Sequence, residues 1–185
     1  MRSTTRAALL VAVALGLACG CAPDRPVGEP GDAGHGYALL YEILGQERRV
    51  SRLLLIKIER DELEAVIDAI AATCDTAHAR LGELAEEAPR IELTQTGLPV
   101  DEVLTRQSIA AMRRKQLLSA SGQELERRLL ATQSEALTYA SHLADTLARS
   151  EADPHRLAFT RALWKDLNRL LQDVEDLQNR PARSD

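Results

Sequence analysis

Between residues 63 and 84 the apolar side chains fall at alternating steps of four and three: Leu63, Ile67, Ile70, Cys74, Ala77, Leu81 and Leu84. That spacing draws one continuous stripe along an α-helix and cannot be laid on a strand, whose faces alternate at every residue. A helix marked this way must bury its stripe against other helices. Related stripes run through Leu40, Leu44, Glu47, Ser51, Leu54 and Ile58, and through Leu129, Gln133, Ala136, Ala140, Leu143 and Leu147, widened by Leu130, Leu137 and Ala144. A last one takes in Leu157, Trp164, Leu167, Leu171 and Val174, with Leu163, Leu170 and Leu177 beside it. Aromatic residues are only 3% of the chain, and β-branched residues are sparse, which favours helix over sheet. The expected fold is all-α, an antiparallel bundle of four to five helices.

Punctuation residues set the expected boundaries. Asp61 with Glu64 and Ser121 with Glu124 have capping-box spacing, and Asp153-Pro154 places an N-cap before a Pro at the first helical position. Pro89 to Pro99, with Gly97, is the longest interruption. These signals predict helices near 37–59, 62–88, 100–119, 122–150 and 154–179, with a continuous, kinked helix through residue 60 left open. Ala22 to Gly36 holds three Pro and four Gly with little to bury. It reads as a flexible tether of roughly 20 Å end to end, and its His35 is expected to face solvent. The bundle domain then spans 37–180.

The N-terminus has a different character. Arg2 and Arg6 precede an apolar run, Ala7 to Ala18, of twelve residues. A bilayer core needs about twenty, so the layout is that of an export signal rather than a span. Leu17-Ala18-Cys19-Gly20-Cys21 then makes the segment resemble a bacterial lipoprotein signal, cleaved before a cysteine that takes lipid. The resemblance implies removal of residues 1–20 and a covalent lipid on Cys21, with Cys19 as the alternative. Cys21 is preferred because the tether begins directly after it. An ordinary secretory signal with incidental cysteines is the other reading. Residue 22 is Ala rather than Asp, which in a diderm source implies the outer membrane, periplasmic face. The partners expected are the membrane, through the lipid anchor, and an envelope protein.

Loss of Arg2 and Arg6 would take the net charge from −5 to about −7 by the signal rule. An acidic balance argues against nucleic acid, which needs a concentrated positive surface. The one basic cluster, Arg113-Arg114-Lys115 with Arg106 before it, reads as a solvated helix face. With Cys21 acylated and Cys19 removed, Cys74 has no thiol left to pair with.

Catalytic signatures are missing: there is no Gly-x-Ser-x-Gly turn, phosphate loop or dinucleotide fingerprint. The expectation is a non-enzymatic protein with no cofactor besides its lipid. No Glu-x-x-His occurs. Glu135 and His142 share a face with Arg128 and Arg149, so that face points outward. His155 follows Pro154 at a helix start and is expected to be exposed, while His78 borders the stripe as a half-buried packing residue. Glu47, Cys74 and Gln133 sit on inward stripes. They are expected to form a core thiol beside a Glu–Gln hydrogen bond, since a buried carboxylate must be paired or protonated. With His78, they are the only candidates for a metal or small-molecule site.

Leu98-Pro99, Gly122-Gln123-Glu124-Leu125-Glu126, Gln133, Ala136-Leu137 and Leu143-Ala144 together resemble a family of exported bacterial ferritin-like proteins of unknown function, labelled as outer-membrane proteins. Ala71-Ala72-Thr73-Cys74 through Leu84-Ala85 matches that family's second helix. The resemblance implies a ferritin-like layout. Where the family carries His, this chain has Cys74 and Gln133, and it reads Leu163-Trp164 and Leu170-Leu171 in place of a Leu-Pro and a later His. A metal site of that family would therefore be degenerate here.

Overall fold

The computed structural model describes residues 30–51 and 60–180. Among them it is all-α: α1 (Pro30–Glu47), α2 (Asp61–Glu86), α3 (Val100–Ser119), α4 (Gly122–Ser150) and α5 (Pro154–Asn179). At 1.5 Å per residue, the 29 residues of α4 reach about 43 Å.

Four of these helices close a ring. α4 and α5, joined by residues 151–153, make the most extensive contact, while α1 packs on both α2 and α4, and α2 packs on α5. Side-chain pairs fix the directions. Tyr37 near the start of α1 bonds Glu151 just past the end of α4, whereas Glu47 at the end of α1 meets Gln133 in the middle of α4. Arg48 pairs with Asp75 and Tyr41 stacks on His78, so α1 and α2 also run oppositely. Arg156, at the start of α5, reaches the Pro89 carbonyl beyond the end of α2. α2 and α4 therefore point the same way from opposite corners. Residues 87–121 carry the chain back along the bundle between them, and α3 occupies this crossover.

α3 lies outside the ring, on α4 alone among its larger contacts, and contributes no buried residue. Arg113 bridges to Glu135 at 2.5 Å. Arg106 donates to the Tyr139 hydroxyl at 3.3 Å, with its guanidinium 5.4 Å over that ring.

Every member of the α2 stripe is buried, as its spacing requires. The α4 stripe is buried too, but its centre lies nearer Leu137, Ala140 and Ala144, leaving Ala136 and Leu143 half-buried. The bounds of α3, α4 and α5 agree with those expected.

Five expectations need correction. α1 begins at Pro30 rather than 37, so the last seven residues of the supposed tether are helical. Pro30 is preset for a first helical position, and Gly36 lets α1 approach α4 closely, since a Cβ there would stand 2.8 Å from Leu147. His35 is consequently a helix residue, though exposed as expected, and its ring covers Gly97, where the backbone turns through φ +68°. α1 stops at a turn over Arg48 and Arg49, with helix resuming at Val50; Leu54 and Ile58 lie outside the described residues. The break at Arg60 is present, but neither Asp61 nor Ser121 makes a side-chain cap. Asp61 is already inside the helix, and Glu124 is held by Arg127 and Arg128 instead. Finally, the α5 seam is Arg156, Thr160, Leu163, Leu167, Leu170, Val174 and Leu177. Trp164 stands off it, exposed.

Candidate functional site

Among the described residues, this bundle buries an acidic group in two places. The first is in its middle. The residue Glu47 is half-buried, but its carboxyl end points inward: Oε2 is sealed from solvent and has no hydrogen-bond partner among the described residues. The other carboxyl oxygen accepts from the Gln133 side chain, whose own Oε1 is buried and equally bare. Burial pushes the Glu47 carboxyl above its usual range, and the Gln133 bond only partly opposes this. The two bare oxygens of this hydrogen-bonded pair are both acceptors while the acid is ionised. A proton on Oε2 would make it a donor for Gln133 Oε1 and close an acid–amide ring in which both atoms are satisfied. Cys74 lies close enough to feel the Glu47 charge. Its thiol is pushed up to about 12, first by burial and then by that charge, which keeps it protonated and a poor nucleophile.

Glu47, Cys74 and Gln133 are thus brought together from α1, α2 and α4, as their inward positions require. His78 is not. It stacks on Tyr41 with ring centroids 3.8 Å apart, and its charged neighbours are Arg48, Asp75 and Arg49. Burial, then Arg48, lowers its proton affinity. No group of three or more His, Cys, Asp or Glu side chains disposed around a common metal position occurs among the described residues. A protonated thiol, an amide already engaged and one buried acid make a poor donor set for the metal of a ferritin-like bundle. Cys19 and Cys21 lie outside the described residues.

The second place is the bundle end where α1 starts. Glu151 Oε2 accepts from the Tyr37 hydroxyl at 2.6 Å and from Arg156 Nε at 3.0 Å. Its Oε1 accepts the Asp153 N–H at 2.7 Å and faces Arg156 Nη2 at 3.5 Å. Arg156 Nη1 donates to the Pro89 carbonyl at 3.3 Å. The Arg156 and Glu151 side chains are only 7% and 8% exposed. Burial works to raise the Glu151 acid, but the bonds from Tyr37, Asp153 and Arg156 outweigh it and hold the carboxyl below its usual range. Burial and the Glu151 charge raise Tyr37, which stays a donor. This clamp ties α1, the turn after α2 and the α4–α5 turn together. Asp153 caps α5 beside it, accepting from the N–H groups of His155 and Arg156, as the Asp-Pro pair predicts.

Sequence reasoning missed the clamp. The available signal was a Glu and an Arg five residues apart across a capped turn. His142 and His155 are exposed, and Glu135 is spent on Arg113. The Arg113-Arg114-Lys115 cluster is accordingly split: Arg113 is paired, while Arg114 and Lys115 are exposed without an ion pair among the described residues. No described helix is long and apolar enough to cross a membrane.

No family model matches this chain, and neither a curated protein nor a solved structure matches it.

Proposed function

We propose that this chain is an exported lipoprotein whose helical bundle serves a non-enzymatic interaction or structural role at the cell envelope, with lipid on Cys21. The observation that carries the reading is the order of charge, twelve-residue apolar run and small-residue cysteine site over residues 2–21. Two or three acyl chains hold a protein on a membrane without any spanning helix. Ala22 favours the periplasmic face of the outer membrane in a diderm source, and an envelope protein is the further partner. Growth with a fatty-acid probe tests the anchor: the wild-type chain takes up label and Cys21→Ala does not. Label that persists in Cys21→Ala but disappears in Cys19→Ala moves the lipid to Cys19, and an unlabelled wild type overturns the reading.

The crossover between two parallel helices supports a ferritin-like layout, the connection typical of such bundles. A second reading, an interior binding site for a metal or small molecule, draws on the bare oxygens of Glu47 and Gln133. Metal content after purification without chelator, and the melting shift on adding Fe, Zn or Mn, test it, because a ligand that binds the folded state must stabilise it.

A further inference from the structure

Large apolar side chains exposed to solvent are concentrated on one helix. Of the seven among the described residues, Val100, Leu104, Ile109, Met112 and Leu118 belong to α3. Val100 and Leu104, at 74% and 57% exposed, line up with Ala111 and Leu118 at helical steps of four and seven. Arg114 and Lys115 flank that line on its two sides in the gap between Ala111 and Leu118. The inner face of α3 is half-buried Val103, Arg106, Arg113 and Leu117, so the apolar line points away from the bundle. α3 carries four basic residues against Asp101 and Glu102, in a chain of net charge −5. Arg106 and Arg113 are engaged with Glu102 and Glu135, so the positive charge that α3 offers outward is that of Arg114 and Lys115, set beside exposed apolar side chains, a pairing that suits an anionic membrane surface.

The start of α1 bears independently on the N-terminal end of α3. α1 starts beside α3, because His35 covers Gly97, three residues before α3 begins. Eight residues lie between Cys21 and Pro30, and the nine steps span at most about 30 Å when fully extended. α3 itself, at 20 residues, is about 30 Å long. An acyl group on Cys21 would therefore hold the membrane within reach of the whole of α3.

We propose that the outer face of α3, Val100, Leu104, Ala111 and Leu118 with Arg114 and Lys115, lies on an anionic phospholipid surface and sets the orientation of the bundle there. The proposal rests on the lipoprotein reading for its tether and on α3 alone for its surface.

The test uses the full chain as isolated from membranes, reconstituted into phosphatidylcholine vesicles with and without phosphatidylglycerol. A fluorophore is placed at Leu104→Cys or, as a control, at Asp68→Cys on α2, the corner diagonal to α4; Cys74 is buried and stays unlabelled. Brominated phospholipid is expected to quench the Leu104 probe but not the Asp68 probe. The quenching should diminish without phosphatidylglycerol and in Arg114→Glu/Lys115→Glu. Equal quenching at both positions, or quenching at Leu104 indifferent to anionic lipid, overturns the proposal. So does a Leu104 probe shielded without quenching, the result expected if a second copy or an envelope protein covers the face. Mass spectrometry of the same preparation reads the acyl group separately. Should the chain prove non-acylated, Cys19→Ser/Cys21→Ser is added so that position 104 alone takes the dye; quenching of that probe on anionic vesicles then upholds the surface while the anchor is overturned, and an acylated chain with an unquenched probe does the reverse.

Discussion

Among the described residues the bundle buries a carboxylate in two places and treats them oppositely. Glu151 is met by a hydroxyl, a backbone N–H and a guanidinium, and its acid is held below the usual range. Glu47 is met by one amide, keeps a bare oxygen, and its acid is pushed up by burial. Both are buried acids of the same residue type. What separates them is the supply of donors, so burial alone does not decide whether such a group is charged.

The largest expected effect is on the well-supplied side. Arg156→Ala leaves Glu151 buried without its counter-charge and should cost about 3–5 kcal/mol, read from urea unfolding. A loss no larger than that of an exposed salt bridge would erase the distinction between the two sites. Tyr37→Phe removes one bond to a charged acceptor and leaves the others, so about 2 kcal/mol is expected. Thermal melting of the two single variants and the double variant would show whether the clamp acts as a unit, through non-additive losses.

Glu47→Gln should go the other way. Two facing amides satisfy one another, so stability near neutral pH should rise by about 1 kcal/mol. The pH dependence separates the sites further. For Glu47, whose folded-state acid lies above the ordinary 4.5, the contribution is complete below that value and is lost as pH rises through the folded one. For Glu151, held below 4.5, the contribution is present above that value and lost as pH falls through the folded one. Glu47→Gln should thus flatten the stability profile above pH 4.5 and Glu151→Gln below it. Profiles altered on the same side would show that the contrast is mistaken. The smallest effect belongs to His142→Ala on the exposed face of α4, expected within about 0.5 kcal/mol of wild type in urea unfolding.

The middle site was legible in the sequence and the end site was not, for a reason the α5 seam makes plain. Glu47 and Gln133 interrupt otherwise apolar stripes, so periodicity alone places them inside. The α5 seam instead begins with two polar residues, Arg156 and Thr160. A reading keyed to apolar side chains starts at Leu157 and runs one register off, which puts Trp164 inward and Arg156 outward. Tyr37 was hidden in another way, since the glycines before it resemble coil while the structure has them in helix, with Gly36 packed on Leu147 of α4. Ring closure and the crossover were out of reach as well, because stripes identify which faces are buried but not which helices bury them.

α3 answers to fewer constraints than any other helix. A substitution in α2 must satisfy neighbours on both sides of the ring, whereas α3 contributes no fully buried residue and touches the bundle mainly along α4. Its sequence can drift across relatives with little penalty in folding, so natural selection on it comes chiefly from whatever lies outside the protein. A lineage that changed its surroundings would be expected to rewrite residues 100–119 first and leave the ring as it was.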